Sequence, residues 1–117
     1  LLQVNLSREI TKSGLHDWED ILKVSETILS GKWLKLRGLM TIPAPNIGET
    51  PTRKIYEKLR VWRDKLQQEL DSAEITELSM GMTADFHWAI QEGATMIRVG
   101  SAIFGQRNED MDCPTNM

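Results

Sequence analysis

Residues 1–6, LLQVNL, alternate apolar and polar side chains as a strand does, and SREITKSG follows as a polar loop ending in Gly14. After Asp17, a suitable N-cap, the period lengthens. Trp18, Ile21, Leu22, Ser25, Ile28 and Leu29 fall on one helical face, and Gly31 fits a left-handed stop. Residues 34–40, LKLRGLM, read as a second strand, and the two prolines of TIPAPNIGET forbid a helix directly behind it. Thr50 and Pro51 then suit the cap and first position of a helix with the apolar stripe Ile55, Leu59, Trp62, Leu66 and Leu70. ITELS (75–79) predicts a third strand, and MGM (80–82) a tight connection. Thr83 is the expected cap of a helix burying Phe86, Ala89 and Ile90 and ending at Gly93. ATMIRVG (94–100) predicts the fourth strand, and SAIFG the next helical turn before a polar tail.

Strands that alternate with helices in this way call for an α/β fold of parallel strands. Parallel strands are usually covered on both faces, so polar side chains pointing out of them on one side need an explanation. Here they recur: Gln3 and Asn5 in the first strand, Glu77 and Ser79 in the third, Arg98 in phase with Met96 and Gly100 in the fourth. Burying such a face under the helices of a doubly wound sheet would be costly. In a TIM-type (β/α)8 barrel the same face lines the lumen, and residues at the C-terminal strand ends build the site.

The last two strand-to-helix loops carry the candidate chemistry. Ser79 and Ser101 supply hydroxyls, while Gly81 and Gly100 let backbone N–H groups approach an anion with no Cβ in the way. The helix starts behind them add a favourable dipole. Together they suggest a phosphate cradle, although a Gly-Ser step between strand and helix is equally at home as plain turn and cap chemistry. Asn5, facing the same side, serves either a ligand or a neighbouring backbone group. Met40, Met80 and Met82 fit either the pocket mouth or the core.

Composition narrows the classes. In 117 residues, 40% are hydrophobic and 26% charged, the proportions of one globular unit. Fourteen Lys and Arg are scattered among 17 acids for a net charge of −3, so no basic face awaits nucleic acid. No apolar run is long enough to cross a membrane, and with no signal-peptide pattern a cytoplasmic location is expected. The single cysteine, Cys113, sits in the tail, and His16 and His87 lack companions at ligand spacing, so no metal site and no catalytic residue is nominated. Trp18, Trp33, Trp62 and Trp88 are read as packing residues. The chain opens on Leu1-Leu2, directly on a strand, which leads us to expect further residues upstream.

LSMGMTADF (78–86), GATMIRVGSAIFGQR (93–107), LRGLMTIPAP (36–45) and the opening QVN with KSG (12–14) resemble the pyridoxal phosphate homeostasis protein family, called YggS in bacteria. The resemblance runs from residue 1 to about 107, leaving 108–117 as a tail. It implies a barrel like the N-terminal domain of alanine racemase, of which this chain is expected to be the C-terminal half, the last four β/α units. It further implies pyridoxal 5′-phosphate as the cofactor of a non-enzymatic protein of vitamin B6 homeostasis. Ser79, Gly81, Gly100 and Ser101 would hold the phosphate, and Arg98 would face the pyridine nitrogen. A guanidinium has no proton-accepting lone pair, so it leaves that nitrogen unprotonated and weakens the ring as an electron sink.

In that family a lysine on an early strand holds the cofactor as an imine, and it is expected upstream; Lys12, Lys23 and Lys32 are not nominated in its place. A racemase of the same fold is the alternative. It would need a second acid–base residue, and Tyr56, the one tyrosine, is expected on an outward helix face. A third reading is a general phosphate-ester binding module. A partial barrel would expose unpaired edges at its first and fourth strands, so self-association is expected.

Overall fold

The computed structural model describes residues 1–7 and 14–104, Ala102 by its backbone alone. Lys12 and Ser13 of the KSG motif, Gly105 to Arg107, Cys113 and the tail 108–117 lie outside the described residues. Strands β1 (Leu2–Gln3), β2 (Gly38–Met40), β3 (Glu77–Met82) and β4 (Met96–Arg98) alternate with helices α1 (Trp18–Ser30), α2 (Glu49–Glu69), α3 (Phe86–Gln91) and α4 (Gly100–Phe104). All the pairings are parallel and the sheet order is β1-β2-β3-β4.

That sequential order decides between the α/β architectures. A doubly wound sheet reverses its strand order at a switch point, and no reversal occurs among the described strands, so the fold is a partial (β/α) barrel. The more specific expectation, that these units are the C-terminal half of the barrel, is not supported. Successive βα units present the same layers and strand order wherever in a barrel they lie.

The register sorts the side chains. Gln3, Met40, Ser79 and Met96 align across the sheet on one face, while Leu2, Leu39 and Leu78 align on the other. Leu39 and Leu78 are fully buried and join Val4, Ile21, Leu59, Leu66, Ile75, Met80 and Ala89 in one core between sheet and helices. Burying a side chain of this kind stabilises by roughly 1.5–3 kcal/mol. Gly38 sits where β2 comes closest to β3: a Cβ there would overlap the Glu77 carbonyl.

Several expectations shift. The first strand pairs regularly only over Leu2–Gln3, after which Val4 bridges to Leu15 instead. This bridge, with bonds from Asn5 N–H to the Leu15 carbonyl (2.8 Å) and from Leu15 N–H to the Gln3 carbonyl (3.0 Å), covers the outer edge of β1 that was expected to be open. The second strand begins at Gly38, leaving Trp33 93% exposed instead of packed. Gly31 ends α1 in extended conformation, not left-handed. Helix α2 starts at Glu49 behind Gly48, with Pro51 in the first turn, where its missing N–H costs nothing. Its buried residues are Thr52, Tyr56, Leu59 and Leu66, a face rotated from the expected stripe, so Tyr56 is fully buried instead of outward. Ile90, expected inside, is exposed, and Met80 belongs to the core.

Two features hold the helices in place. Trp18 of α1 meets Trp62 of α2 edge to face at 5.8 Å, with Lys65 over Trp18 and Lys58 over Trp62. Glu92, just after α3, is tied to α2 by Arg53 (2.8 Å) and Arg60 (3.6 Å).

Candidate functional site

The C-terminal ends of β3 and β4 are shaped by one irregularity. Ser79 pairs with Met96 and Met82 with Arg98, so three steps on β3 match two on β4. This bulge is built at Gly81, whose φ is +106°, a conformation L side chains rarely adopt. A Cβ at Gly81 would lie 2.7 Å from the Ala89 Cβ, against α3. Two successive positions, Met80 and Gly81, are thereby turned toward the helix layer, and Met82 is brought opposite Arg98. The expected connection MGM is thus the end of β3 itself.

Arg98 reaches back across the sheet. Its Nη2 donates to the Thr41 carbonyl at 3.0 Å, although Thr41 follows β2, two strands away. Thr41 is itself fixed: its N–H donates to the Ser79 carbonyl (3.1 Å) and its Oγ1 to the Val4 carbonyl (2.7 Å). The Arg98 Nε is buried and has no hydrogen-bond partner among the described residues.

Beside it is a cavity of about 630 Å³ lined by Met82, Thr83, Ala84, Arg98, Gly100 and Ser101. Gly100 faces open space, with nothing within 4 Å of where a Cβ would stand. Of the five residues singled out in the sequence, Arg98, Gly100 and Ser101 therefore come together at this cavity. Ser79 and Gly81 do not line it: Ser79 is buried within β3, and Gly81 faces α3. The Ser79 carbonyl accepts the Thr41 N–H, and Gly81 precedes Met82 in the bulge. Sequence reasoning missed Thr41 as the anchor of Arg98, and also Asp85, whose Oδ1 accepts the Met82 N–H at 2.8 Å while the Asp85 N–H donates to the Met82 carbonyl at 3.0 Å. The signal was the spacing of an acid three residues beyond a strand end, where a side chain folds back on the backbone.

Behind Asp85 stands Tyr56. Its hydroxyl is buried without a hydrogen-bond partner among the described residues. Burial pushes the phenol far above its usual range and the neighbouring Asp85 carboxylate adds to this, while the Arg98 charge opposes it. Tyr56 lines neither this cavity nor a second one, of about 640 Å³, that shares Met82 and Ala84 with it and runs along residues 42–48. No cluster of three or more His, Cys, Asp or Glu able to hold a metal occurs among the described residues. No described helix is long and apolar enough to cross a membrane.

Comparison with known proteins places this geometry in context. The family model for the alanine racemase N-terminal domain matches residues 1–108. The chain is 43% identical over 108 residues to the pyridoxal phosphate homeostasis protein of Haemophilus influenzae, covering 92% of this chain and 45% of that protein. It is 42% identical over 107 residues to that of Aquifex aeolicus, covering 92% and 46%. Among solved structures, PipY of Synechococcus elongatus without PLP superposes with a TM-score of 0.82 at 36% identity, covering 89% of this chain and 48% of PipY. PipY with PLP bound gives 0.75 at 32% identity, covering 89% and 47%. The chain spans about half the length of the curated relatives it matches. The match also corrects the expectation of a C-terminal half. What it names is the N-terminal domain of alanine racemase, and it supports a partial barrel related to that domain without assigning the chain to the domain's second half.

Proposed function

The chain belongs to the alanine racemase N-terminal domain family, and from that premise we propose that it contributes a pyridoxal 5′-phosphate site to a non-enzymatic, cytoplasmic protein of vitamin B6 homeostasis. The observation that carries the reading is the cavity bounded by Arg98, Gly100 and Ser101, with the Arg98 guanidinium held over the strand ends by the Thr41 carbonyl. Such a set fits the cofactor: a hydroxyl and a Cβ-free backbone suit a phosphate ester, and a fixed cation suits an electron-rich ring nitrogen.

In this reading Gly100 and Ser101 receive the phosphate, and Ser79 and Gly81 act from beneath by fixing Thr41 and Met82. Arg98 orients the ring. When bound, the cofactor supplies an aldehyde and an electron-accepting ring, and a guanidinium at the ring nitrogen weakens the second property. The likeness to proteins named for pyridoxal phosphate homeostasis, and to a PipY structure with PLP bound, supports the same assignment. Racemase chemistry is disfavoured by Tyr56, which is enclosed beneath Asp85 and lines no cavity.

The test is a titration with pyridoxal 5′-phosphate followed by absorbance. Arg98→Met is expected to shift the spectrum of the bound cofactor, and Arg98→Lys to restore it only in part. A spectrum unchanged by either substitution would overturn the role given to Arg98. Self-association belongs to the same proposal, and it rests on β4, which among the described residues pairs with β3 alone and lies beside the exposed Ile103 and Phe104. A concentration-independent monomer in sedimentation would contradict it.

A further inference from the structure

The second cavity has a chemistry of its own. It lies between residues 42–48 and the turn 82–85 and holds about 640 Å³, within the range of small-ligand sites. Ile42, Ile47, Met82 and Trp88 make its wall mostly apolar, and Pro43 and Pro45 stiffen the loop on one side. Among the described residues the one ionisable group on the wall is Asp85, half-buried.

The partners of that carboxylate are few. Asp85 occupies the N-cap position of α3 but makes no side-chain capping bond; its Oδ1 accepts the Met82 N–H instead. Behind it is the buried Tyr56 phenol, whose hydroxyl lies close enough to interact with the carboxylate. No ion pair to Asp85 is formed among the described residues, and Arg98, the nearby cation, gives its Nη2 to the Thr41 carbonyl. Glu92, on the other side of the same helix, is supplied with both Arg53 and Arg60. The fold thus pairs one half-buried acid of this region with cations and leaves the other, among the described residues, with hydrogen-bond donors but no cation, facing an apolar recess where its net charge attracts one.

We propose that this cavity is a binding site for a small primary ammonium compound with an apolar body, its ammonium on Asp85 and its body against Ile47 and Trp88. No group of three or more His, Cys, Asp or Glu gathers there among the described residues, which argues against a metal ion, and the sign of the carboxylate repels anions. The site adjoins the cofactor cavity, sharing Met82 and Ala84 with it, and the inference does not rest on the cofactor reading.

Calorimetric titration of the full chain with phenethylamine, with no pyridoxal phosphate present, tests it. Phenethylamine is expected to bind, and its uncharged analogue phenethyl alcohol to bind about tenfold more weakly or not at all. Asp85→Asn keeps an Oδ1 acceptor for the Met82 N–H, and is expected to lower phenethylamine affinity by about the same tenfold. Ile47→Trp, which fills the recess without touching Asp85, is expected to abolish binding, and guards against a folding effect of the first variant. Equal binding of amine and alcohol, undiminished binding in Asp85→Asn, or no binding at millimolar amine would each overturn the proposal.

Discussion

Replacing Gly81 by alanine is expected to cost far more than the loss of one site residue. Two terms follow from the structure. At φ +106° a residue with a Cβ is strained, by roughly 1–3 kcal/mol. The new methyl would also stand 2.7 Å from the Ala89 Cβ and 3.2 Å from both Ile97 Cγ2 and Phe86 Cα, an overpacking worth about 1–3 kcal/mol. Together these are a large part of a typical domain's total of about 5–15 kcal/mol. Urea unfolding followed by circular dichroism measures the loss. Ala89→Gly in the same chain removes the closest contact but not the backbone strain, so the two substitutions should couple favourably by about 1–2 kcal/mol in a double-mutant cycle. A Gly81→Ala chain within about 0.5 kcal/mol of wild type, or a cycle with no coupling, would refute the reasoning that Gly81 serves the bulge and α3, not an anion.

The other expectations are narrower. Tyr56→Phe removes a buried hydroxyl beside the Asp85 carboxylate, and should change stability by no more than about 1.5 kcal/mol in the same assay. The raised phenol adds a pH dependence: above about pH 10 the unfolded chain releases the proton while the folded chain keeps it. Its contribution is therefore intact below that pH and lost above it, by about 1.4 kcal/mol per pH unit relative to Tyr56→Phe; identical alkaline profiles for the two chains would contradict this. Gly38→Ala puts a Cβ into the Glu77 backbone, and should separate β2 from β3 enough to prevent a cooperative unfolding transition.

How much of this was legible in the sequence depended on whether the signal was local. Alternation along a strand placed Arg98 on the polar face, and Gly100 and Ser101 followed because they adjoin it in the chain. Ser79 and Gly81 do not line the cavity with the other three, since their surroundings are set by β2 and α3, and β2 lies far from both in the chain. The Gly81 bulge shifts the phase of β3, which no strict alternation anticipates. Tyr56 was misplaced because α2 packs on the sheet through one face and on Trp18 of α1 through the next, so its apolar stripe is wider than a single line of residues. Trp33 and Leu34 read as a strand but are exposed, because close pairing begins only at Gly38. The edge of β1 was read as open because alternation within a strand carries no sign of a bridge such as that between Val4 and Leu15.

The most direct test of the site is to compare pyridoxal 5′-phosphate with pyridoxal by equilibrium dialysis against the wild-type chain and Ser101→Ala. If the cavity at Arg98, Gly100 and Ser101 receives a phosphate ester, the phosphorylated vitamer binds about ten- to a hundredfold more tightly, the range of charge-assisted hydrogen bonds, and Ser101→Ala narrows that gap. Equal affinity of the wild-type chain for the two vitamers would contradict the account.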